Sequence, residues 1–388
     1  MSDAMRCPRR ALLLALPGVL LGRAAAGQPA GDRMATRCNT LAERLLAAEA
    51  GPRAGAMVSG LSLLDALAPL GPGARSEAAT ALARLLGPRG AQALALHQAL
   101  STDEALKRAA AVWLPRRPPP LPAYREAVAP LGAHVEAVEF AVAETLGRIN
   151  GWVAERTNNL IPTLLDRLPR DPGVVVTAAL HFAARWEIPF DPAQTLAGPF
   201  TRGDGQRMEA RFMRAMRLVP YAESRSWRAV RLPYTQGQYE AVLLAPAPGR
   251  PATQAAQALR DRTALAVLAA LRFDQAEVEL SVPRLALNQT IDLLPRLRQG
   301  NLGAAFAPEA DFRGIDGTPI RLTAIRQRVA LRLDESGTQA AAATAVLGDR
   351  AMVERARFVA DRPFLLLVVH RPTGLHIVTA LVNEPGTT

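Results

Sequence analysis

The chain has 388 residues, of which 49% are hydrophobic and 21% are charged, and its formal net charge is +11. That composition is ordinary for a globular protein, and the length allows a large core in one domain or two. The basic residues are scattered and are not interleaved with aromatic residues, which argues against a nucleic-acid or other polyanion site.

Residues 1–26 have the pattern of a secretory signal. Arg9 and Arg10 precede the apolar run 11–21, and Ala24-Ala25-Ala26 follows it as a small-residue cleavage site. The run is too short to span a membrane. We therefore expect a secreted or periplasmic protein whose mature chain begins near residue 27. The arginine pair leaves both general and twin-arginine export open.

Hydrophobic spacing predicts helices and strands along the chain. In the first half the predicted helices are 39–48, 57–70, 74–86, 119–131 and part of 144–165. The predicted strands there are 106–114, 134–140 and the nearly continuous apolar run 173–182. In the second half the predicted strands are 229–234, 239–244, 276–282, 364–370 and 375–382, and the predicted helices are 254–271 and 290–298. Helices dominate the first half and strands the second, which favours an α+β fold in a single domain over residues 27–388.

Motifs of enzymes and metal sites are missing from the sequence. The five histidines are scattered, and there is no serine-hydrolase elbow, zinc-protease motif or phosphate-binding loop. Cys7 lies in the signal, so Cys38 remains alone and neither an intrachain disulfide nor a cysteine-rich zinc site is expected. The sequence therefore predicts a protein that is not an enzyme and that holds no metal or cofactor.

Residues 329–345 combine a strand with a run of small residues. Val329, Leu331 and Leu333 share one face of a short alternating segment. Glu335-Ser336-Gly337-Thr338 and an alanine-rich stretch follow. This stretch lacks both the bulk of a core strand and the polarity of an ordinary loop. It suits solvent in one state and a sheet interior in another, which indicates a conformational switch.

Residues 334–344, with the sequence DESGTQAAAAT, resemble the hinge of the reactive-centre loop of the serpins, the serine protease inhibitor family. Other landmarks of that family occur in the family's order and extend the resemblance over residues 39–385. They are Ile149-Asn150-Gly151-Trp152-Val153, Ala179-Leu180-His181-Phe182, Trp186-Glu187-Ile188-Pro189-Phe190, Leu232-Pro233-Tyr234, Val282-Pro283-Arg284, Asp311-Phe312-Arg313-Gly314-Ile315, Asp361-Arg362-Pro363-Phe364-Leu365 and Val382-Asn383-Glu384-Pro385.

The resemblance implies a serpin fold of three β-sheets and about nine helices, with an exposed reactive-centre loop over about 337–357. It implies a suicide inhibitor of serine proteases, or of cysteine proteases that form the same kind of acyl-enzyme. The target cuts the loop, which then inserts as a new strand beside 329–335 and carries the trapped protease with it. The partner is then a protease, and we expect a monomer that binds neither nucleic acid nor membrane. The alternative is a non-inhibitory binding protein or chaperone whose loop is only a substrate.

The hinge residues suit insertion by their own chemistry. Gly337 permits backbone angles that other residues resist. Alternate side chains of an inserted strand face the core, and none of those assigned inward is large or charged. The inward residues are Thr338, Ala340, Ala342, Thr344 and Val346, and the outward residues are Gln339, Ala341, Ala343 and Leu347. The uninserted state is then expected to be kinetically trapped.

Family spacing from Gly337 places the reactive bond between Ala351 and Met352, and the alternative is Arg350–Ala351. The two choices imply different targets. Ala351 would fit the small pocket of an elastase-like or subtilisin-like protease, whereas Arg350 would fit the acidic pocket of a trypsin-like protease.

Glu335 and Arg284 match the family's acidic and basic pair at the top of the large sheet, the region called the breach. We expect a salt bridge between them near Trp186, and the alternative is two separately solvated charges. If they pair, they lie where the loop first enters the sheet.

A second group of the family pattern, the shutter, departs from the usual residues. Ser59 and Ser62 match the family, but Gln327 and Ala178 replace the usual histidine and asparagine, and Gly60 replaces a proline. Glutamine can both donate and accept hydrogen bonds. Beside Ala178, Gln327 must find another partner.

Overall fold

The structure is a computed structural model of the chain. The residues that it describes are 30–51, 55–87, 90–101, 103–116, 118–169, 173–299, 302–338 and 356–386. The predicted signal lies outside the described residues, and so does the stretch 339–355 with both candidate reactive bonds. None of the described helices is long and apolar enough to cross a membrane.

The order of elements confirms the predicted α+β class. The described helices are α1 (Ala30–Glu49), α2 (Gly60–Leu67), α3 (Leu70–Gly73), α4 (Ser76–Leu86), α5 (Ala91–Ala99), α6 (Pro122–Val128), α7 (Glu144–Arg156), α8 (Gln254–Arg260), α9 (Ala264–Ala270), α10 (Leu294–Arg298) and α11 (Gly303–Phe306). The described strands are β1 (Ala56–Val58), β2 (Leu106–Pro115), β3 (His134–Val138), β4 (Val174–Phe182), β5 (Leu196–Thr201), β6 (Arg207–Glu223), β7 (Trp227–Pro233), β8 (Tyr239–Pro246), β9 (Asp274–Pro283), β10 (Leu285–Asp292), β11 (Leu322–Leu333), β12 (Ala356–Val359), β13 (Phe364–His370) and β14 (Leu375–Val382).

The smaller sheet has five strands in the order β10-β11-β4-β2-β3. β11 and β4 are parallel neighbours at its centre, and Gln327 lies opposite Ala178. Each of the two is antiparallel to its other neighbour, β10 or β2. All nine residues of β4 are buried, as expected for a central strand. The boundary between β4 and β11 is termed the seam.

The larger sheet has nine strands in the order β1-β14-β13-β8-β7-β6-β9-β12, and β5 pairs with β6 off this path. β6 is 17 residues long and changes partners along its length. Its first part pairs with β5, its centre with β9 and its last three residues with β7. This change divides the nine strands into two groups joined by β6. Together with the five-stranded sheet, these groups correspond to the three sheets of the expected fold.

Two hydrophobic clusters lie on opposite faces of the five-stranded sheet. On β4, Val176, Ala178 and Leu180 belong to the larger cluster, which also takes in α1, α2 and the larger sheet. Val175 and Ala179 point the other way and belong to a smaller cluster formed with α7. This alternation is the two-residue period of a strand. α7 and the segment after it therefore cover this outer face of the five-stranded sheet.

Several helix boundaries differ from the predicted ones, and the predicted helix 254–271 is divided into α8 and α9. Residues 290–292 belong to β10 rather than to the predicted helix 290–298, and Asp292 at the end of β10 accepts a hydrogen bond from the Leu294 N–H at 3.2 Å. Residues 57–58 likewise belong to β1, because the helix begins only after Ser59, whose hydroxyl caps α2.

The predictions missed several elements, among them the strands β5 and β6 and the helices α3, α5 and α11. β5 and β6 have no counterpart among the predicted strands, since the arginines of β6 interrupt any clean alternation of apolar and polar residues. The predicted break over 71–73 is instead the short helix α3.

Candidate functional site

The chain beyond the ends of β4 and β11 forms a hydrogen-bonded junction, termed the mouth of the seam (residues 183–190 and 334–338). The Trp186 N–H donates to the Ser336 carbonyl at 2.9 Å, and the Thr338 N–H donates to the Ala184 carbonyl at 2.6 Å. Gly337 forms an antiparallel bridge with Arg185. The chain that leaves β11 has therefore turned back and lies beside the extension of β4.

The reversal depends on Gly337. Asp334 and Gly337 exchange backbone hydrogen bonds of 2.8 and 3.2 Å across a two-residue turn. The φ angle of Gly337 is 139°, and a Cβ atom there would lie 2.3 Å from the carbonyl oxygen of Ala184. Only a residue without a side chain fits both this angle and this approach.

Thr338, the first hinge residue assigned to the inward face, has its side chain in the core. The residue is 0% exposed, and its hydroxyl lies 2.9 Å from the hydroxyl of Tyr234. The Tyr234 ring stacks on Trp186 with centroids 4.4 Å apart. At Thr338 the turned chain therefore packs against this buried aromatic pair.

The ion pair expected between Glu335 and Arg284 is present. Oε1 of Glu335 lies 2.7 Å from Nη2 and 2.8 Å from Nε of Arg284, and it also accepts a hydrogen bond from the Thr195 hydroxyl. The Glu335 side chain is only 8% exposed, so two separately solvated charges are ruled out. Trp186 lies beside the pair, and its Nε1–H donates to the Asp334 carbonyl at 2.9 Å.

The surroundings of Glu335 favour its ionised form. Burial alone would raise the pKa of Glu335, but hydrogen bonds from Thr195 and Arg284 and the Arg284 charge outweigh burial and hold the pKa below its usual range. The Glu335 carbonyl also accepts from the Phe190 N–H at 2.7 Å. Both the side chain and the backbone of Glu335 therefore anchor the turn.

Halfway along the seam, Gln327 finds its partner in the backbone of Ser59. Its Nε2 donates to the Ser59 carbonyl at 3.0 Å, and its Oε1 accepts from the Ser59 N–H at 3.2 Å. The side-chain amide thus pairs with a main-chain amide at the start of α2. The buried hydroxyl of Ser62 has no hydrogen-bond partner among the described residues. Gln327 therefore ties β11 to α2 rather than to β4.

In the described parts of β4 and β11, no side chain of one strand forms a hydrogen bond to the other strand. β4 carries only two polar side chains, Thr177 and His181. Thr177 accepts from Nε1 of Trp113 on β2 at 2.8 Å, and Nδ1 of His181 has no partner among the described residues. Between these strands only the backbone ladder and packing hold the seam closed.

The segment after α7 is fastened over the outer face of the seam. Asn150 donates to the Leu165 carbonyl at 2.8 Å and accepts from the N–H groups of Leu164 and Leu165. Arg328 of β11 donates from Nη1 to the Thr163 carbonyl. Nothing in the sequence marked this contact, because Arg328 is one of three arginines on β11 and its partial burial follows from tertiary packing.

The described residues hold only part of the predicted site. Glu335, Gly337 and Thr338 meet Trp186 and Arg284 at the mouth, and the shutter residues lie together in the middle of the seam. The remaining hinge and bond residues lie outside the described ones: Gln339, Ala340, Ala341, Ala342, Ala343, Thr344, Arg350, Ala351 and Met352.

Reactive groups elsewhere in the described chain are sparse. The described residues contain no cluster of three or more side chains suited to a metal ion. The thiol of Cys38 is buried and unpaired, and burial raises its pKa to about 12. A thiol in this state is a poor nucleophile.

Comparison of the sequence with known proteins points to one family. The serpin family model (serine protease inhibitor) matches residues 37–385. The putative serpin-Z6A of Oryza sativa subsp. japonica is 30% identical over 84% of this chain and 93% of its own length. The leukocyte elastase inhibitor of Bos taurus is 26% identical over 87% of this chain and 95% of its own length.

Solved structures share the fold. The thermophilic serpin tengpin, in its native state, matches with a TM-score of 0.78 and 21% identity over 91% of this chain and 94% of its own. Human thyroxine-binding globulin complexed with thyroxine matches with a TM-score of 0.81 and 21% identity over 92% of this chain and 100% of its own. The fold thus agrees with the family model over residues 37–385, by which the chain belongs to the serpin family, a family of protease inhibitors and not of enzymes.

Proposed function

We propose that this chain inhibits serine proteases as a suicide substrate, by inserting its cut reactive loop into the seam between β4 and β11. The position of Thr338 carries the proposal. Its side chain is buried, and its N–H already bonds to the chain beyond β4. A new strand would continue from this residue into the seam.

The geometry of the seam favours such a strand. β4 and β11 run parallel to each other, and a chain that turns back after β11 runs opposite to both. Insertion would therefore replace one parallel ladder by two antiparallel ladders. About fourteen inserted residues, each adding roughly 1 kcal/mol of net hydrogen bonding, would stabilise the product by on the order of 10 kcal/mol.

In the proposed reaction the protease serine attacks the carbonyl carbon of Ala351. The Ala351–Met352 bond breaks, Met352 becomes a new amino terminus, and Ala351 remains as an ester on the protease. Insertion of the preceding residues would then carry the protease roughly 46 Å, at about 3.3 Å per residue. A distorted protease cannot complete the hydrolysis of the ester. A cut after Arg350 would follow the same steps with a trypsin-like target.

Incubation with elastase, subtilisin and trypsin tests this function, with a denaturing gel to detect a covalent complex. The proposal predicts a complex with elastase or subtilisin, and mass spectrometry of the released peptide is expected to show a cut between Ala351 and Met352. Cleavage without a complex would contradict inhibition and favour the non-inhibitory alternative. A sole cut after Arg350 would move the reactive bond and change the target to a trypsin-like protease.

A matched pair of variants separates insertion from recognition of the loop. Ala342→Arg would bring a charge into the core on insertion, whereas Ala341→Arg would place it on the outward face. We expect A342R to be cleaved as a substrate without a complex and A341R to retain the complex. Equal behaviour of the two variants would contradict the inserted strand.

We further propose that residues 1–26 are removed during export, which would make the inhibitor secreted or periplasmic. The basic, apolar and small-residue order of this segment supports the proposal. Amino-terminal sequencing of the exported protein is expected to begin near residue 27. A mature protein that retains Met1 would contradict it.

A further inference from the structure

A cavity of about 310 Å³ opens beside the mouth, between β6, β7 and the residues that follow Trp186. Its volume is at the lower end of the range for small-molecule sites. Arg217, Arg231 and Arg371 line it, together with two carboxylates, those of Glu187 and Glu240. The lining therefore carries one more positive charge than negative charges. This space is termed the arginine cavity.

Arg217 is the unusual member of the lining. It is only 8% exposed, and its Nη2 has no hydrogen-bond partner among the described residues. The guanidinium lies 3.8 Å from the centre of the Phe190 ring. Burial lowers the pKa of Arg217 to about 10, so the group is still charged at neutral pH. A buried charge without a counter-ion is costly, and an anion in the cavity would offset that cost.

One of the two lining carboxylates is already shared by the other two arginines. Glu240 lies 3.1 Å from Nη1 of Arg231 and 3.8 Å from Nε of Arg371. No described carboxylate forms an ion pair with Arg217. The cavity thus offers one buried cation to a ligand, while its acidic groups disfavour a multiply charged one.

Two exposed apolar side chains lie in the lining of the cavity. Leu218 is 70% exposed and Ile188 is 55% exposed, and both are among the most exposed large hydrophobic residues of the described chain. Leu218 follows Arg217 directly on β6. If the anionic group of a ligand pairs with Arg217, the apolar part of that ligand would cover the side chains of Leu218 and Ile188.

We propose that the arginine cavity binds a small monocarboxylate with an apolar body, whose carboxylate pairs with Arg217 and whose body covers Leu218 and Ile188. The volume admits roughly ten water-sized groups, which suits a medium-chain fatty acid or an aromatic acid. The inference is independent of protease inhibition, because no residue of the cavity belongs to the reactive loop.

Isothermal titration of the purified protein with octanoate tests the proposal, with 1-octanol and octylammonium as matched neutral and cationic probes. We expect one octanoate per chain and at least tenfold weaker binding of the other two, because only the carboxylate can pair with Arg217. Absence of octanoate binding at millimolar concentration, or equal binding of 1-octanol, would overturn the proposal.

Three variants locate the site. Arg217→Met is expected to weaken octanoate binding at least tenfold, whereas Arg214→Met, an exposed arginine on the same strand, should leave it unchanged. Leu218→Ser lies on the exposed rim, so it tests the site without depending on the folding of R217M, and it should weaken binding severalfold. Octanoate binding that is unaffected by L218S, or by R217M where that variant folds, would place the acid elsewhere and overturn the proposal.

Discussion

At the mouth of the seam, backbone hydrogen bonds cross from the extension of β4 to that of β11, at Trp186–Ser336 and at Ala184–Thr338. Halfway along the same seam, the side chains of the described strands make no hydrogen bond across it, and the amide of Gln327 bonds instead to α2. Trp186, Glu335 and Thr338 at the mouth and Gln327 in the middle are all buried. The seam is therefore closed by a polar network at one end and by the strand ladder and packing along the rest.

This difference indicates where an entering strand would meet resistance. In the middle, the described side chains of β4 and β11 make no hydrogen bond to each other, so opening there breaks mainly the ladder bonds and the packing between the two strands. At the mouth, Glu335 and the turn at Gly337 must hold while Thr338 leads the loop inward. The mouth therefore acts as the fixed pivot and the middle as the part that separates.

The largest effect is expected at Gly337, because its neighbours leave no room for a Cβ. Gly337→Ala would place that atom 2.3 Å from the Ala184 carbonyl oxygen, and the free energy of unfolding should fall by about 3 kcal/mol or more. Gly374→Ala is the matched control. Gly374 also has a positive φ, of 66°, but a Cβ atom added there would have no atom within 4 Å, so this variant should cost about 1 kcal/mol. Equal losses in chemical denaturation would show that the mouth is not tightly closed.

A smaller effect is expected in the middle of the seam, at Gln327. Gln327→Ala would leave the Ser59 N–H unpaired, would leave the Ser59 carbonyl with the Leu63 N–H alone, and would open a cavity, at a cost of about 2–3 kcal/mol. Gln327→Met keeps the volume, so we expect about half that loss. Chemical denaturation of both variants separates the cost of the lost hydrogen bonds from the cost of the cavity. A negligible loss in Q327A would mean that α2 does not hold β11.

The ion pair at the mouth should show a still smaller and pH-dependent effect. Glu335→Gln and Arg284→Met should each cost about 1–2 kcal/mol, since Arg284 is partly exposed. The double variant should lose less than the sum of the single losses. Additive losses would mean that the two side chains do not interact.

The pH dependence of the same pair has a defined sign. The folded pKa of Glu335 lies below 4.5, so its stabilisation is fully present above pH 4.5 and is lost as the pH falls through the folded value. The stability difference between the wild type and E335Q should therefore shrink in acid. A difference that stays constant down to the acid limit of folding would contradict the ionised pair.

The smallest effect is expected at Arg328, on the outer face of the seam. Arg328→Ala removes its bond to the Thr163 carbonyl and should lower the free energy of unfolding by less than about 1 kcal/mol. The inhibition rate should rise by up to about fivefold, since the cover over the seam loosens. Arg326→Ala is the control, because Arg326 pairs with Asp292 on the neighbouring strand. Equal inhibition rates for the two variants would mean that the bond from Arg328 to Thr163 does not restrain opening of the seam.

The sequence predicted the contacts at the mouth of the seam better than the contacts in its middle and in the larger sheet. Motif spacing placed Glu335 beside Arg284, because both belong to a pattern shared across the family. It left the partner of Gln327 open, since a backbone amide at Ser59 is distant along the chain and carries no motif. It also missed Arg217, because β6 was not recognised as a strand and the burial of one arginine among many depends on tertiary packing.

The thermal midpoint before and after cleavage of the reactive loop tests insertion most directly. Calorimetry on the intact and cleaved protein compares a seam without and with an added strand. The account predicts a rise of roughly 15 °C or more on cleavage, since on the order of ten new backbone hydrogen bonds form. An unchanged or lower midpoint would contradict insertion between β4 and β11.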